Sequence, residues 1–310
     1  MTPLTQAAHE YLATRRALGY RLHVVGRCLL QFVAFLDAQG ATHITVPLAL
    51  QWAHATSSPQ LAWRALRLSM VRGFARYCHA TEPRTEIPPV QLLPFRPARA
   101  RPYLYTDEEI GRLLAAADQL PSPNGLRPMT YRCLFSLLIV AGLRISEARR
   151  LSPDDIDWTD GVLTIRGTKF GKSRLVPLHA SSVAALADYA RRREQILQGR
   201  AASTFFISDR SKPLNPHVIY QTFCRLSRQA GLRAPGARHG PRLHDFRHRL
   251  ALTTLMTWYR ADQDVERRLP VLSTYLGHVS VSDTYWYLTA CPELMSHATR
   301  RLERRWEEGR

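Results

Sequence analysis

The stretch MTYRCLFSLLIVAGLRISE, residues 129–147, decides how this chain folds. From Met129 to Ala141 nearly every residue is apolar, which predicts a helix buried at the centre of a domain rather than one with a solvated face. Arg144 and Glu147 follow directly and bring charge to the end of that element. Upstream, Thr106-Asp107-Glu108-Glu109 reads as a capping box, with Thr106 as N-cap and Glu109 at the third helical position. Downstream, residues 162–166 and 174–178 are short strand-like runs around Gly167-Thr-Lys-Phe-Gly171, the pattern of a β-hairpin with a glycine-bounded tip. The remainder is mostly helical and ends in the charged run 300–310. The expectation is a mainly α domain with a small β-hairpin, α+β in class, over residues 104–310 with a tail from about 298.

Residues 1–95 form a separate helical domain in this reading. Tyr11-Leu12, Leu18, Leu22, Val25, Leu29, Phe32-Val33 and Leu36 recur at helical spacing, and Gly40 supplies a stop. A further helix over about 60–78 sets Arg64, Arg67, Arg72 and Arg76 beside Leu61, Leu66, Met70 and Phe74. That pattern predicts an apolar side on a core and an arginine side facing phosphate, although a single arginine is as readily a solvated charge. Between Pro88 and Pro102 five prolines alternate with Arg96, Arg99 and Arg101, so a basic extended linker is expected at 96–103.

The chain has 310 residues, with 43 Lys+Arg against 25 Asp+Glu and a formal net charge of +18. A basic excess of this size implies a polyanionic partner, because neutralising phosphates releases counterions. Lysine is confined to Lys169, Lys172 and Lys212. Arginine cannot yield a proton near neutrality whereas lysine can, so two lysines three positions apart mark a place where that property is used. The five cysteines are scattered without metal-type spacing and read as small core residues in a reducing compartment. No signal peptide opens the chain, and its most apolar run, 133–140, is too short for a bilayer, so a cytoplasmic protein is expected.

Four segments carry residue types suited to phosphate chemistry: AGLRISE (141–147), the hairpin tip with Lys169, HDFR (244–247), and LGH (276–278) followed by Tyr287. Each alone is common by chance. In this order they resemble the tyrosine recombinases, the phage-integrase and Xer-like family. AGLRISEARRL resembles the family's first arginine box, RGTKFGKSRLVPL its lysine hairpin, LHDFRH its HxxR box, and LGHVSVSDTYWYL its closing box, where the tyrosine stands nine residues after the histidine. The likeness is close over about 106–293 and weaker before it.

The resemblance implies a site-specific DNA recombinase in which Tyr287 attacks a phosphodiester to form a 3′-phosphotyrosine. Arg144, Arg247 and His278 would bind the phosphate, Lys169 would protonate the leaving 5′ oxygen, and His244 would assist proton transfer. Glu147 would steady the site, the plain alternative being a surface i,i+3 ion pair. Expected DNA contacts are Lys172, Arg174, Arg64, Arg67, Arg99 and Arg101. Tyr285 and Tyr287 cannot both face one phosphate, since residues two apart on a helix point to nearly opposite sides. The spacing from His278 selects Tyr287, leaving Tyr285 and Trp286 as packing residues.

The resemblance further implies a C-shaped clamp on duplex DNA with a helical SAM-like core-binding domain at the N-terminus. It also implies a tetramer on the recombination site, homomeric or shared with a related recombinase, with the C-terminal tail docking on a neighbour. Neither metal nor other cofactor is called for, because the covalent intermediate stores the bond energy. The closing run TYWYLTACPEL looks more like mobile-element recombinases than housekeeping ones. A type IB topoisomerase would share the chemistry but relax DNA lacking any specific site, and a non-catalytic DNA-binding protein would leave the catalytic residue types unexplained.

Overall fold

The computed structural model describes residues 2–58, 60–93, 101–167, 173–237, 239–290 and 292–308. The chain divides into two compact units, Met1–Ala100 and Arg101–Arg310. Among the described residues no helix is long and apolar enough to cross a membrane.

The first unit is helical: α1 (Pro3–Ala17), α2 (His23–Ala38), α3 (Val46–His54) and α4 (Leu61–His79). Thr2 caps α1 by accepting from Thr5 N, with Pro3 next to it where a missing N–H costs nothing. The helical spacing read from Tyr11 to Leu36 is broken in the middle. Gly19 at φ +87° and Leu22 at φ +44° turn the chain between α1 and α2, and Leu18 lies in solvent instead of the core.

On α4 the expected faces are shifted in register. Leu61 and Leu66 are exposed, the latter at 47%, and Arg67 is buried with Leu68, Val71, Phe74 and Cys78. Arg67 Nη2 donates to the Trp52 carbonyl at 2.7 Å, and its guanidinium lies 3.7 Å over the Trp52 ring. Arg67 is therefore an internal strut of this unit and not a DNA contact. Arg72 also turns inward, donating to the carbonyls of Pro88 and Pro89.

The second unit opens on α5 (Asp107–Asp118), where the Thr106–Glu109 capping box closes in both directions. Then come α6 (Leu126–Ala141), α7 (Ile145–Arg150), a 3₁₀ turn (Pro153–Asp155), β1 (Ile156–Asp157), β2 (Val162–Ile165), β3 (Arg174–Pro177), α8 (Ala180–Leu197) and α9 (Pro216–Gln229). The chain finishes with α10 (Leu243–Arg260), α11 (Val265–Leu276), α12 (Ser282–Ala290) and α13 (Pro292–Glu308).

Helix α6 is the central element, packed by α5, α8 and α10, as its apolar composition requires. The hairpin forms with Val162 opposite Pro177 and Ile165 opposite Arg174. It gains a third antiparallel strand, β1, too short to show in an alternation pattern. Leu163, Ile165 and Val176 turn into the core while Leu175 faces out. Residues 168–172, with Lys169 and Lys172, lie outside the described residues, as do residues 94–100, which include Arg99 and most of the linker expected at 96–103. A smaller core gathers Leu252, Leu255, Leu269, Leu272, Leu276 and Leu294 from α10, α11 and α13, and Tyr287 is part of it. The tail from residue 298 continues α13, where Arg301 Nη1 donates to the Gln263 carbonyl of the same chain.

Candidate active site

Two helix ends build the site. Helices α6 and α11 each stop at a left-handed glycine, Gly142 at φ +58° and Gly277 at φ +67°. This ending leaves last-turn carbonyls without helical partners, at the negative end of each helix dipole. Guanidiniums fill those acceptors. Arg247 of α10 donates from Nη1 to Gly142 O at 2.8 Å and from Nη2 to Leu276 O. Arg144 donates from Nη2 to Gly277 O at 3.0 Å, and Arg174 from Nε to Tyr275 O at 2.8 Å.

Glu147 ties the arginines together. As the third residue of α7 it accepts from Arg144 N at 2.9 Å and Arg144 Nη1 at 2.8 Å. It also takes a bidentate pair from Arg174, at 3.1 and 2.8 Å. Burial by itself would raise this carboxyl, but the bonds from Arg174 and the Arg144 backbone outweigh it and hold Glu147 at about 2. A surface i,i+3 pair is thereby excluded, since the Glu147 side chain is nearly inaccessible. Arg174, with a side chain 7% exposed, is engaged in this network. Expected to contact DNA, Arg174 here braces Glu147 and the end of α11 with three of its five N–H donors.

Tyr287 of α12 is 2% exposed, whereas Tyr285 is 50% exposed. The two do point apart, but Tyr285 is a solvent-facing residue and not the packing residue expected of it. Trp286 is half-buried and packs beside His248 and Tyr287. The Tyr287 hydroxyl lies 3.2 Å from His248 Nδ1. Burial lifts the phenol above its ordinary value, with Arg247 and Arg144 pulling against it.

The His278 ring stacks on Tyr287 at 6.1 Å and 22°, and its Nδ1 is 2.8 Å from the buried Thr284 hydroxyl. His244, partly open to solvent, meets His248 edge-on at 4.6 Å. Burial first, and nearby positive charge or imidazole second, hold His248 and His278 near 4, so both are neutral around pH 7. Arg247 is also pushed down by burial, to about 10, and stays charged.

Arg144, His244, Arg247, His278, Tyr287 and Glu147 are thus brought together from α7, α10, α12 and the segments between them. Arg64 lies in the first unit, half-buried, and Arg101 at the start of the second, exposed. The residue missed from sequence is His248. Its signal was present: it stands four positions after His244 and so shares a helix face with it. Two charged forks, neutral imidazoles and a phenol converging on one spot suit an oxyanion being attacked by an oxygen nucleophile.

Residues 104–293 match the Phage integrase family. The chain is 56% identical over 99% of its length, and 99% of the relative's, to y4rB of Sinorhizobium fredii, a protein named as an integrase/recombinase. It is 30% identical to the tyrosine recombinase XerD of Pseudomonas aeruginosa over 84% of this chain and 83% of that one. The fold matches the Tn1549 transposon integrase, solved with transposon right-end DNA, with a TM-score of 0.67 over 98% and 99% of the two chains at 16% identity. Fold, site and relatives together define a site-specific DNA recombinase of the tyrosine type. Within that class the chain belongs to the phage integrase family.

Proposed function

We propose that this recombinase cuts and rejoins DNA through a 3′-phosphotyrosine on Tyr287, in the service of a mobile element. The observation that carries the reading is the Tyr287 hydroxyl held against Arg247 and His248, beside Arg144 and His278. In-line attack builds negative charge on the non-bridging phosphate oxygens. Arg144, whose side chain remains 29% exposed, and Arg247 offer permanent charge to that group. His278 donates from Nε2 when the Thr284 hydroxyl donates to its Nδ1, so that contact selects the useful tautomer. Lys169 gives the leaving 5′ oxygen its proton, a role that fits a chain which otherwise uses arginine almost throughout. Lys172, Arg64, Arg99 and Arg101 serve as backbone contacts.

The working assembly in this reading is a tetramer on two recombination sites, each subunit clamping duplex between its two domains, with α13 reaching a neighbour. The protein acts in the cytoplasm on nucleoid DNA. Support for a mobile-element role comes from the integrase/recombinase name of the 56% identical relative. The test uses short duplexes tiling the DNA that flanks the gene, each nicked so that cleavage releases a small fragment and traps the intermediate. Wild type should give a covalent protein–DNA band on a denaturing gel, and Tyr287→Phe none. An adduct formed by Tyr287→Phe removes Tyr287 as nucleophile.

A further inference from the structure

The positive charge of Arg247 favours loss of the Tyr287 proton. The phenol's own proton has an acceptor in His248 Nδ1, 3.2 Å away. A neutral ring accepting there carries its proton on Nε2. The ring is fixed in this pose by edge-on contact with His244 (4.6 Å, 88°), by Trp286 at 5.2 Å and by Tyr287 at 5.5 Å. Helix α10 places it one residue after Arg247, so one turn supplies both a charge that favours the phenolate and the acceptor of the phenol proton.

We infer that His248 is a further catalytic residue of the recombination reaction, the base that takes the Tyr287 proton during cleavage and returns it during rejoining. The inference rests on Tyr287 being the nucleophile. In cleavage the Tyr287 oxygen bonds to phosphorus, the phosphorus–5′ oxygen bond breaks, and the phenol proton moves to His248 Nδ1. The 5′ oxygen leaves with a proton from the acid on the opposite side. In rejoining a 5′ hydroxyl attacks the phosphotyrosine, and the departing phenolate recovers its proton from His248.

The ionisable groups acting on the ring are His244, Asp245 and Arg247 on α10 and Arg242 at its N-cap, with Tyr287 facing it from α12. Without DNA, burial and then His244 keep His248 near 4 and therefore free to accept. A phosphate bound between Arg144 and Arg247 offsets their charge and raises the imidazole towards working pH, where a base is most effective.

The decisive variant is His248→Asn, whose amide oxygen can stand near the Nδ1 position and accept the same hydrogen bond without taking the proton. On the nicked duplex, the rate of adduct formation should fall about 100-fold or more, with DNA affinity unchanged. The remaining rate should climb with pH as hydroxide replaces the missing base. Replacing the 5′ bridging oxygen by sulfur, which leaves without a proton, should rescue Lys169→Ala and leave His248→Asn slow. Cleavage within about threefold of wild type, or rescue of His248→Asn by sulfur, overturns the inference. The nucleophile reading fails separately, by an adduct in Tyr287→Phe or by its absence in wild type. If His248→Asn does not bind DNA, the acid limb of wild-type cleavage decides. It must coincide with protonation of His248 followed by ¹⁵N NMR in the Tyr287→Phe complex with DNA, and a mismatch refutes the role.

Discussion

At the residue scale, the site is organised around one carboxylate. Glu147 is the counter-ion of two arginines that would otherwise repel each other a few ångströms apart, and its two oxygens are fully used by them. Replacing it by Gln strands Arg174 in a desolvated position, so Glu147→Gln should cost about 3 kcal/mol in denaturant unfolding. The carboxyl titrates at about 2 in the folded chain against 4.5 ordinarily. A depressed carboxyl gives stability that is complete above 4.5 and is lost as pH falls towards 2. Wild type should therefore lose stability in that window more steeply than Glu147→Gln, and parallel slopes would disprove it. Arg67 makes a different prediction. Because it serves Trp52, Arg67→Ala should lower unfolding stability by about 2 kcal/mol and leave the DNA affinity of the folded protein unchanged. Arg64→Ala should instead weaken DNA binding and reduce the salt slope by about one.

At the scale of elements, what matters is how two helices end. Gly142 and Gly277 let α6 and α11 stop in the left-handed conformation with their carbonyls turned to the arginines. A Cβ on Gly277 would meet Arg174 Nη1 at 2.8 Å, whereas one on Gly231, at φ +71°, would meet nothing within 4 Å. Both alanine substitutions incur left-handed strain of about 1–2 kcal/mol. Gly277→Ala should in addition displace Arg174 and Glu147 and slow adduct formation at least tenfold, measured on the nicked duplex against Gly231→Ala as control. The helices themselves were legible in composition and caps, as the Thr106 box and the apolar run 129–141 demonstrate. The short strand β1 and the break at Gly19–Leu22 were not, since two residues show no period and a turn inside an apolar pattern keeps the spacing intact.

At the scale of the whole molecule, the net charge of +18 predicts binding that collapses with salt. If six to ten phosphates are neutralised, affinity should fall by about 10³–10⁵ between roughly 50 and 200 mM salt, read from a titration of binding against ionic strength. Free protein should also be acid-sensitive. His248 and His278 titrate near 4 when folded against 6.5 ordinarily, so the stability tied to their neutral form is complete above 6.5 and lost on the way down to 4. Bound DNA favours the protonated rings and should flatten that loss. Thermal melts from about pH 7 to 4, with and without duplex, measure both.

By itself the sequence determined the chemistry. Tyr287 follows His278 by nine residues, Glu147 follows Arg144 by three, and Arg247 follows His244 by three, so each box is set by local backbone geometry and can be read along the chain. The tertiary structure alone decided what surrounds each cation. Arg67, Arg174 and Arg247 look like any other arginine in sequence, yet their surroundings come from remote segments. Arg247 reaches Gly142, 105 positions away, and Arg174 reaches Tyr275, 101 away. Tertiary structure also joined His248 to Tyr287 across 39 residues. The reason is that desolvation and hydrogen-bond partners belong to packed helices, and no local pattern specifies what a distant helix end will present.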